Sequence, residues 1–259
     1  MANKPIISIV TIVFNGKDGI EKTIKSVLSQ TYKNIEYIII DGASTDGTLD
    51  IIQRYKPNLT KLISERDSGI YNAMNKGLAL AKGDYIYFAN SGDLIADDDV
   101  IRKVAEAIVA NDKWPDLVYG CYQELNNNVV GPIIPCRNHK WSWYGMFASH
   151  QSVFCKKEVI DEHNIIFDES YKIAADYKFL LTIVKHSHSF LQLPFSISLF
   201  DVSGVSSTNQ DKGLYEADRA RKEVLELNWF KRKFIIFVSL LARYSKKHLG
   251  VIYRSIRNR

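Results

Sequence analysis

"GIYNAMNKGLALAKGDYIYFANSGD", Gly69 to Asp93, packs a helix, a stop and a strand into one short stretch. Apolar residues recur at helical spacing up to Gly83, a residue that commonly closes helices. "DYIYFAN" follows, an apolar run rich in aromatics and too short for a helix. It reads as a strand buried on both sides. The chain then turns through Ser91 and Gly92 and displays Asp93, with Asp97, Asp98 and Asp99 close behind. Helix, buried strand and polar turn make half of a repeating α/β unit, so the neighbouring segments decide the fold.

Those segments repeat the unit. Upstream, "IISIVTIVFN" (Ile6–Asn15), "IEYIIID" (Ile35–Asp41) and "LTKLIS" (Leu59–Ser64) read as strands. Asp18–Gln30 and "STDGTLDIIQRY" (Ser44–Tyr55) read as the helices between them. Downstream, "DDDVIRKVAEAIVAN" predicts a helix with acids in its first turn, and "DLVYGCYQEL" predicts a fifth strand. Strand and helix alternate four times. The expected fold is α/β: a Rossmann-like, mostly parallel sheet with helices on both faces. Ligands bind such sheets at the carboxyl ends of their strands. Here those ends are Asn15, Asp41, Glu65 to Asp67, and Asn90 to Asp93, all polar and mostly acidic.

After about residue 125 the pattern loosens. "NNNVVGPIIP" predicts a hairpin turn and strand, and an aromatic loop with Trp141, Trp143 and Tyr144 leads into a strand near Ser152. "IAADYKFLLTIVKHS" predicts a helix, two short strands flank Pro194, and Gly213–Leu227 predicts a polar helix. This half is expected to extend the sheet and cover the site. His186 and His188 read as surface residues.

Composition narrows the function classes. Of 259 residues 46% are hydrophobic and 12% aromatic, which excludes a disordered chain. No signal peptide is apparent, and no stretch has the roughly 18 to 20 apolar residues a membrane span needs. Three widely spaced cysteines fit neither a disulfide framework nor a zinc cluster and point to a reducing, cytoplasmic setting. The net charge of +5 is misleading as an average, because residues 229–259 hold nine Lys/Arg and no acid. The remainder is net acidic, so nucleic acid is not an expected partner. No G-x-G-x-x-G follows the first strand, and "GASTDGT" (Gly42–Thr48) lacks the lysine of a P-loop. A diphosphate on this sheet would need a cation held by carboxylates, for which Asp93 is the candidate. The alternative for Asp93, as for Asp97 to Asp99, is a cap on the next helix.

"SIVTIVFNG", "SVLSQTYKNIEYIIIDGASTDGT", "SERDSGIYNAMNKGLALAKGDYIYFANSGD" and "HQSVFCKK" together resemble the family 2 glycosyltransferases of GT-A fold. More narrowly, they resemble the bacterial members that build colanic acid, capsule or O-antigen (lipopolysaccharide) units. The resemblance runs from Ile6 to about Ser206. It implies an inverting transfer from a UDP- or GDP-linked sugar, dependent on Mn²⁺ or Mg²⁺, to a lipid-linked saccharide. By position, Thr11, Phe14 and Asn15 match the first-strand end that holds the nucleotide, and Asp41 matches the contact to its base. Glu65, Arg66 and Asp67 match the donor-pocket loop. Ser91 and Gly92 match the donor turn, and Asp93 its metal ligand. Asn90 and Gly92 stand where many members carry aspartates. Asp176 matches the general base, with Ala175 in place of the usual acid. The start of a helix favours its ionised form. His150 and Gln151 match a segment facing the acceptor or the diphosphate.

Residues 1–228 are thus expected to form the transferase domain, with a nucleotide-sugar half (1–125) and an acceptor half (126–228). Residues 229–259 form a basic amphipathic tail, read as a helix lying on the anionic inner face of a bacterial plasma membrane. Packing on the domain, or contact with a second copy in a homo-oligomer, is the alternative. A non-catalytic sugar-nucleotide or polysaccharide-binding module on the same fold is the alternative function. A nucleotidyltransferase would need a phosphate loop that "FNGKDG" does not provide.

Overall fold

The computed structural model describes residues 4–126, 129–201 and 210–248. Strands β1 (Ile7–Val13) and β4 (Tyr85–Phe88) are buried at every position. Strand β2 (Ile35–Asp41) is buried over its last five residues, and β3 (Lys61–Ser64) forms the edge. All three pairings among these strands are parallel, in the order β3-β2-β1-β4. Helices α1 (Lys17–Leu28), α2 (Thr48–Arg54) and α3 (Ile70–Leu80) make the crossovers. Side chains alternate between faces along a strand. Ile7 and Ile9 pack with Ile20 and Ile24 of α1, whereas Val10 and Ile12 pack with Met74 and Leu78 of α3. The expected two-faced α/β sheet is therefore present, and the four polar strand ends lie along one edge.

The second half departs from the expected sequence of strands. Strand β6 (Leu117–Asn126) does not lie beside β4. Strand β8 (Val153–Lys156) inserts between them, antiparallel to both. An antiparallel strand begins where its neighbours end, so the residues just before Val153 arrive at the carboxyl edge of β4. The region around Pro194 is one strand, β9 (Phe190–Asp201), not two. It runs parallel to β6, and the register shifts between Tyr119 and Cys121. Pro194 falls in that irregularity, where a missing N–H costs no ladder bond. Strand β7 (Val129–Ile134) is the strand expected in "NNNVVGPIIP" and pairs antiparallel with β6. Strand β5 (Leu94–Ile95) and helix α5 (Lys157–Glu162) were not expected as separate elements.

Helix α4 (Val100–Val109) starts later than predicted, and its first turn holds no acid. Asp98 accepts from Ser29 Oγ and Asp99 from Thr31 Oγ1, both at 2.6 Å, tying the start of α4 to the loop after α1. Helices α6 (Ala175–His186), α7 (Gln210–Leu225) and α8 (Trp229–His248) complete the chain. The expected turn at residues 127–128, the end of the resemblance at 202–209 and tail residues 249–259 lie outside the described residues.

Candidate active site

A cavity of about 880 Å³ opens at the carboxyl edge of β1 and β4 and reaches across to the start of α6. Phe14, Asp67, Ser91, Asp93, His150, Gln151 and Asp176, all singled out from sequence, line it.

Asp93 sits on the floor at 5% exposure. Gly92, at φ +101°, makes the turn in a conformation that side-chain-bearing residues avoid. Thr23 of α1, wholly buried, holds the turn from below: its Oγ1 accepts from Gly92 N–H (3.0 Å) and donates to the Asp93 carbonyl (2.8 Å). The Asp93 carboxylate accepts from Gln151 Nε2 (3.1 Å) and from the Asp201 N–H (3.3 Å). Burial pushes its pKa up to about 6, against the pull of His150 and Gln151. Asp201, which the sequence reading missed, reaches this point because β5 pairs with β9 and Leu94 faces Leu199. Asn90 lines the same floor, and its buried Oδ1 has no hydrogen-bond partner.

These oxygens suit a hard divalent cation: a buried carboxylate, an unsatisfied amide oxygen and a second carboxylate beside them. No group of three His, Cys, Asp or Glu side chains among the described residues forms a complete metal cage. A cation here would complete its shell with phosphate oxygens and water, as Mg²⁺-type sites do.

Asp176 stands in the first turn of α6, and its Oδ2 lies 3.5 Å from His150 Nδ1. His150 Nε2 lies 3.2 Å from Asn90 Nδ2. With the amide donating, the imidazole proton sits on Nδ1 and faces Asp176. His150 therefore spans from the Asp93 turn to Asp176. Helix α6 has no local cap, since Ala174 occupies its N-cap position. Glu216 of α7 supplies one from outside: its carboxylate accepts from the N–H groups of Lys172, Ile173 and Ala174 at 2.8 to 3.1 Å. Burial works against ionisation of Glu216, but these three donors prevail and its pKa lies below the usual carboxylate value.

Other candidates lie around the cavity without lining it. Thr11 is fully buried in β1, 3.1 Å from the Tyr37 hydroxyl, and does not reach the site. Asp41 is equally buried; it accepts from Ser64 Oγ (2.6 Å) and from the Ser44 N–H (3.2 and 3.3 Å). Asn15, at φ +49°, accepts from the Thr45 N–H. Asn15 and Asp41 thus brace the loop after β2. In that loop Gly42 passes so close to Asp67 and Phe14 that a Cβ would meet Asp67 Oδ2 at 2.5 Å. Glu65 pairs with Lys76 on the surface, and the Arg66 carbonyl accepts from the same lysine.

The sequence model of glycosyl transferase family 2 matches residues 8–171. Bacillus subtilis TuaG, provisionally named a teichuronic acid biosynthesis glycosyltransferase, is 42% identical over 63% of this chain and 80% of its own. Among solved structures, S. aureus TarS residues 1–349 bound to UDP-GlcNAc superposes with a TM-score of 0.69 at 16% identity, covering 93% of this chain and 72% of that one. The Pyrobaculum calidifontis mannosyltransferase PcManGT, bound to GDP-Man and Mn²⁺, superposes with a TM-score of 0.65 at 16% identity, covering 99% and 84%. Likeness at such low identity speaks to the fold.

Proposed function

Because the chain belongs to glycosyl transferase family 2 and has the GT-A fold, we propose that it moves a sugar, with inversion, from a UDP- or GDP-linked donor to a saccharide acceptor in bacterial surface polysaccharide biosynthesis. The observation that carries this reading is the sharing of one cavity by Asp93 and Asp176, with His150 between them. TuaG by name, and TarS and PcManGT by their bound nucleotide sugars, support the class of reaction.

Phe14, Asp67, Ser91 and Gly92 form the donor side, with Asn15 and Asp41 shaping the adjoining loop. Asp93, with Asn90 and Asp201 beside it, would hold Mn²⁺ or Mg²⁺, which neutralises a diphosphate leaving group when bound. An Asp176 carboxylate oxygen takes the proton of an acceptor hydroxyl. The oxygen of that acceptor hydroxyl then bonds to the anomeric carbon from the face opposite the leaving group, and the bond from carbon to phosphate oxygen breaks. His150 orients Asp176, and Gln151 fixes the carboxylate of Asp93.

Residues 1–228 act as the transferase unit in this reading. Helix α8 rests on the anionic inner face of the plasma membrane, beside a lipid-linked acceptor. What supports peripheral binding is its outer face: Phe230, Phe234, Phe237, Leu241 and Tyr244 are each more than half exposed. No helix among the described residues is long and apolar enough to cross a membrane. Metal-dependent turnover of nucleotide sugars tests the proposal. Donor binding without turnover would make the chain a binding module instead.

A further inference from the structure

The aromatic loop between β7 and β8 is built unlike a piece of core. Trp141 is 53% exposed and Trp143 37%, their rings 5.8 Å apart and 30° from parallel. Exposed tryptophans usually go with a loosely held loop, but here the backbone beneath them is held firmly. The Tyr177 hydroxyl donates to the Ser142 carbonyl at 2.7 Å. Arg221, itself 2% exposed, donates from Nε to the Trp143 carbonyl (2.9 Å) and from Nη2 to the Tyr144 carbonyl (2.6 Å). The Arg221 guanidinium also lies over the Tyr177 ring at 5.4 Å. Tyr177 is the residue after Asp176, so this brace ties the indole pair to the first turn of α6.

From the loop the surface continues into the cavity. Arg137, which lines the cavity, lies over the ring of Tyr144 at 5.7 Å, and Met146 lines it two residues further along the chain. We infer that Trp141 and Trp143 form a stacking platform for a pyranose ring of the acceptor glycan, outside the residue that receives the new sugar. The carbon-bonded hydrogens on a sugar face pack against an indole face, and its hydroxyls stay in water. Two amphipathic rings fixed at the rim of a site suit that ligand better than a buried apolar partner. The platform makes the acceptor an oligosaccharide rather than a monosaccharide, and this rests on the acceptor side of the proposed function.

The test titrates the full-length protein with cellotetraose, N-acetylchitotetraose and mannotetraose, following tryptophan fluorescence and saturation-transfer NMR. At least one tetrasaccharide is expected to bind more tightly than its monosaccharide. Trp141→Ala and Trp143→Ala should each weaken it about tenfold, as loss of an aromatic anchor does. Trp229→Phe, at an exposed tryptophan on α8, should leave it unchanged. Thermal melting of each variant confirms that it folds. Equal saccharide affinity in the Trp141 and Trp143 variants overturns the inference. So does a wild-type protein that binds none of the three, or a change of oligomeric state as the sole effect of the substitutions. Nucleotide-sugar binding, measured on the same samples, reports separately on the proposed function: its absence would remove the transferase reading without touching the saccharide result.

Discussion

Asp93 is an acid kept out of water, and that burial outweighs the pull of His150 and sets its titration. Its folded pKa, about 6, lies above the ordinary 3.8. A raised carboxyl favours the folded state while protonated. Its stabilising contribution is full below pH 3.8 and is lost as pH rises through 6. At pH 7.5 the metal-free protein therefore carries an unfavourable charge worth up to about 3 kcal/mol. Asp93→Asn should melt at or above the wild-type temperature at pH 7.5 without metal, and should fail to bind donor in a Mn²⁺-dependent way. Scanning calorimetry and titration calorimetry report the two halves. Metal-dependent affinity that survives the substitution would leave Asp93 a structural residue only. On the proposed assignment protons would compete with the metal for this carboxylate, so apparent Mn²⁺ affinity should fall below about pH 6.

At the level of elements, the first turn of α6 depends on a cap from another helix. Glu216→Ala would leave three backbone N–H groups at 172–174 without their acceptor. The expected cost is about 3 kcal/mol by urea denaturation, with slower turnover because Asp176 rides on that turn. Glu216→Gln keeps one acceptor oxygen and should lose less; equal stability of the alanine variant and wild type would mean water replaces the cap. This contact also marks where sequence reading runs out. Strands β1, β2 and β4 and helices α1 and α3 were legible because each has its own apolar period and its own stop, such as Gly83. Asp93 was legible because the turn that displays it is local. Glu216, Thr23 and Asp201 were not, since each acts on a segment more than 40 residues away in sequence. Nothing in "QDKGLYEADRARKEVL" distinguishes Glu216 from its solvated neighbours. The insertion of β8 between β4 and β6 was equally hidden: a short buried run fits any position in a sheet, and its direction is set by pairing partners. Thr11, polar in a buried strand, was read toward the ligand, yet its hydroxyl is satisfied inside the sheet by Tyr37.

At the scale of the whole molecule, the site and the exposed aromatic helix lie on different elements. The sheet carries the cavity, and α8 carries the exposed aromatic face. Helix α8 is not loose: Ile235 is 2% exposed, and Arg232 Nε lies 3.6 Å from Asp218 Oδ1 of α7. The helix thus packs on the domain through one side and leaves exposed the other, on which the proposed membrane contact rests. Full-length protein should co-sediment with vesicles containing anionic lipid at low salt and be released as salt rises, with each cation near the surface worth about 1 kcal/mol. A chain ending at Asn228 should lose that binding. Indifference of the full-length protein to such vesicles would contradict it. The most direct measurement is sugar transfer or nucleotide release from UDP- and GDP-sugars with Mn²⁺, comparing wild type with Asp176→Asn. The variant keeps size and polarity but cannot take up the proton. It should bind donor as wild type does and transfer at least about a hundredfold more slowly. Transfer by Asp176→Asn at the wild-type rate would contradict the assignment of the base and, with it, the proposed chemistry of this cavity.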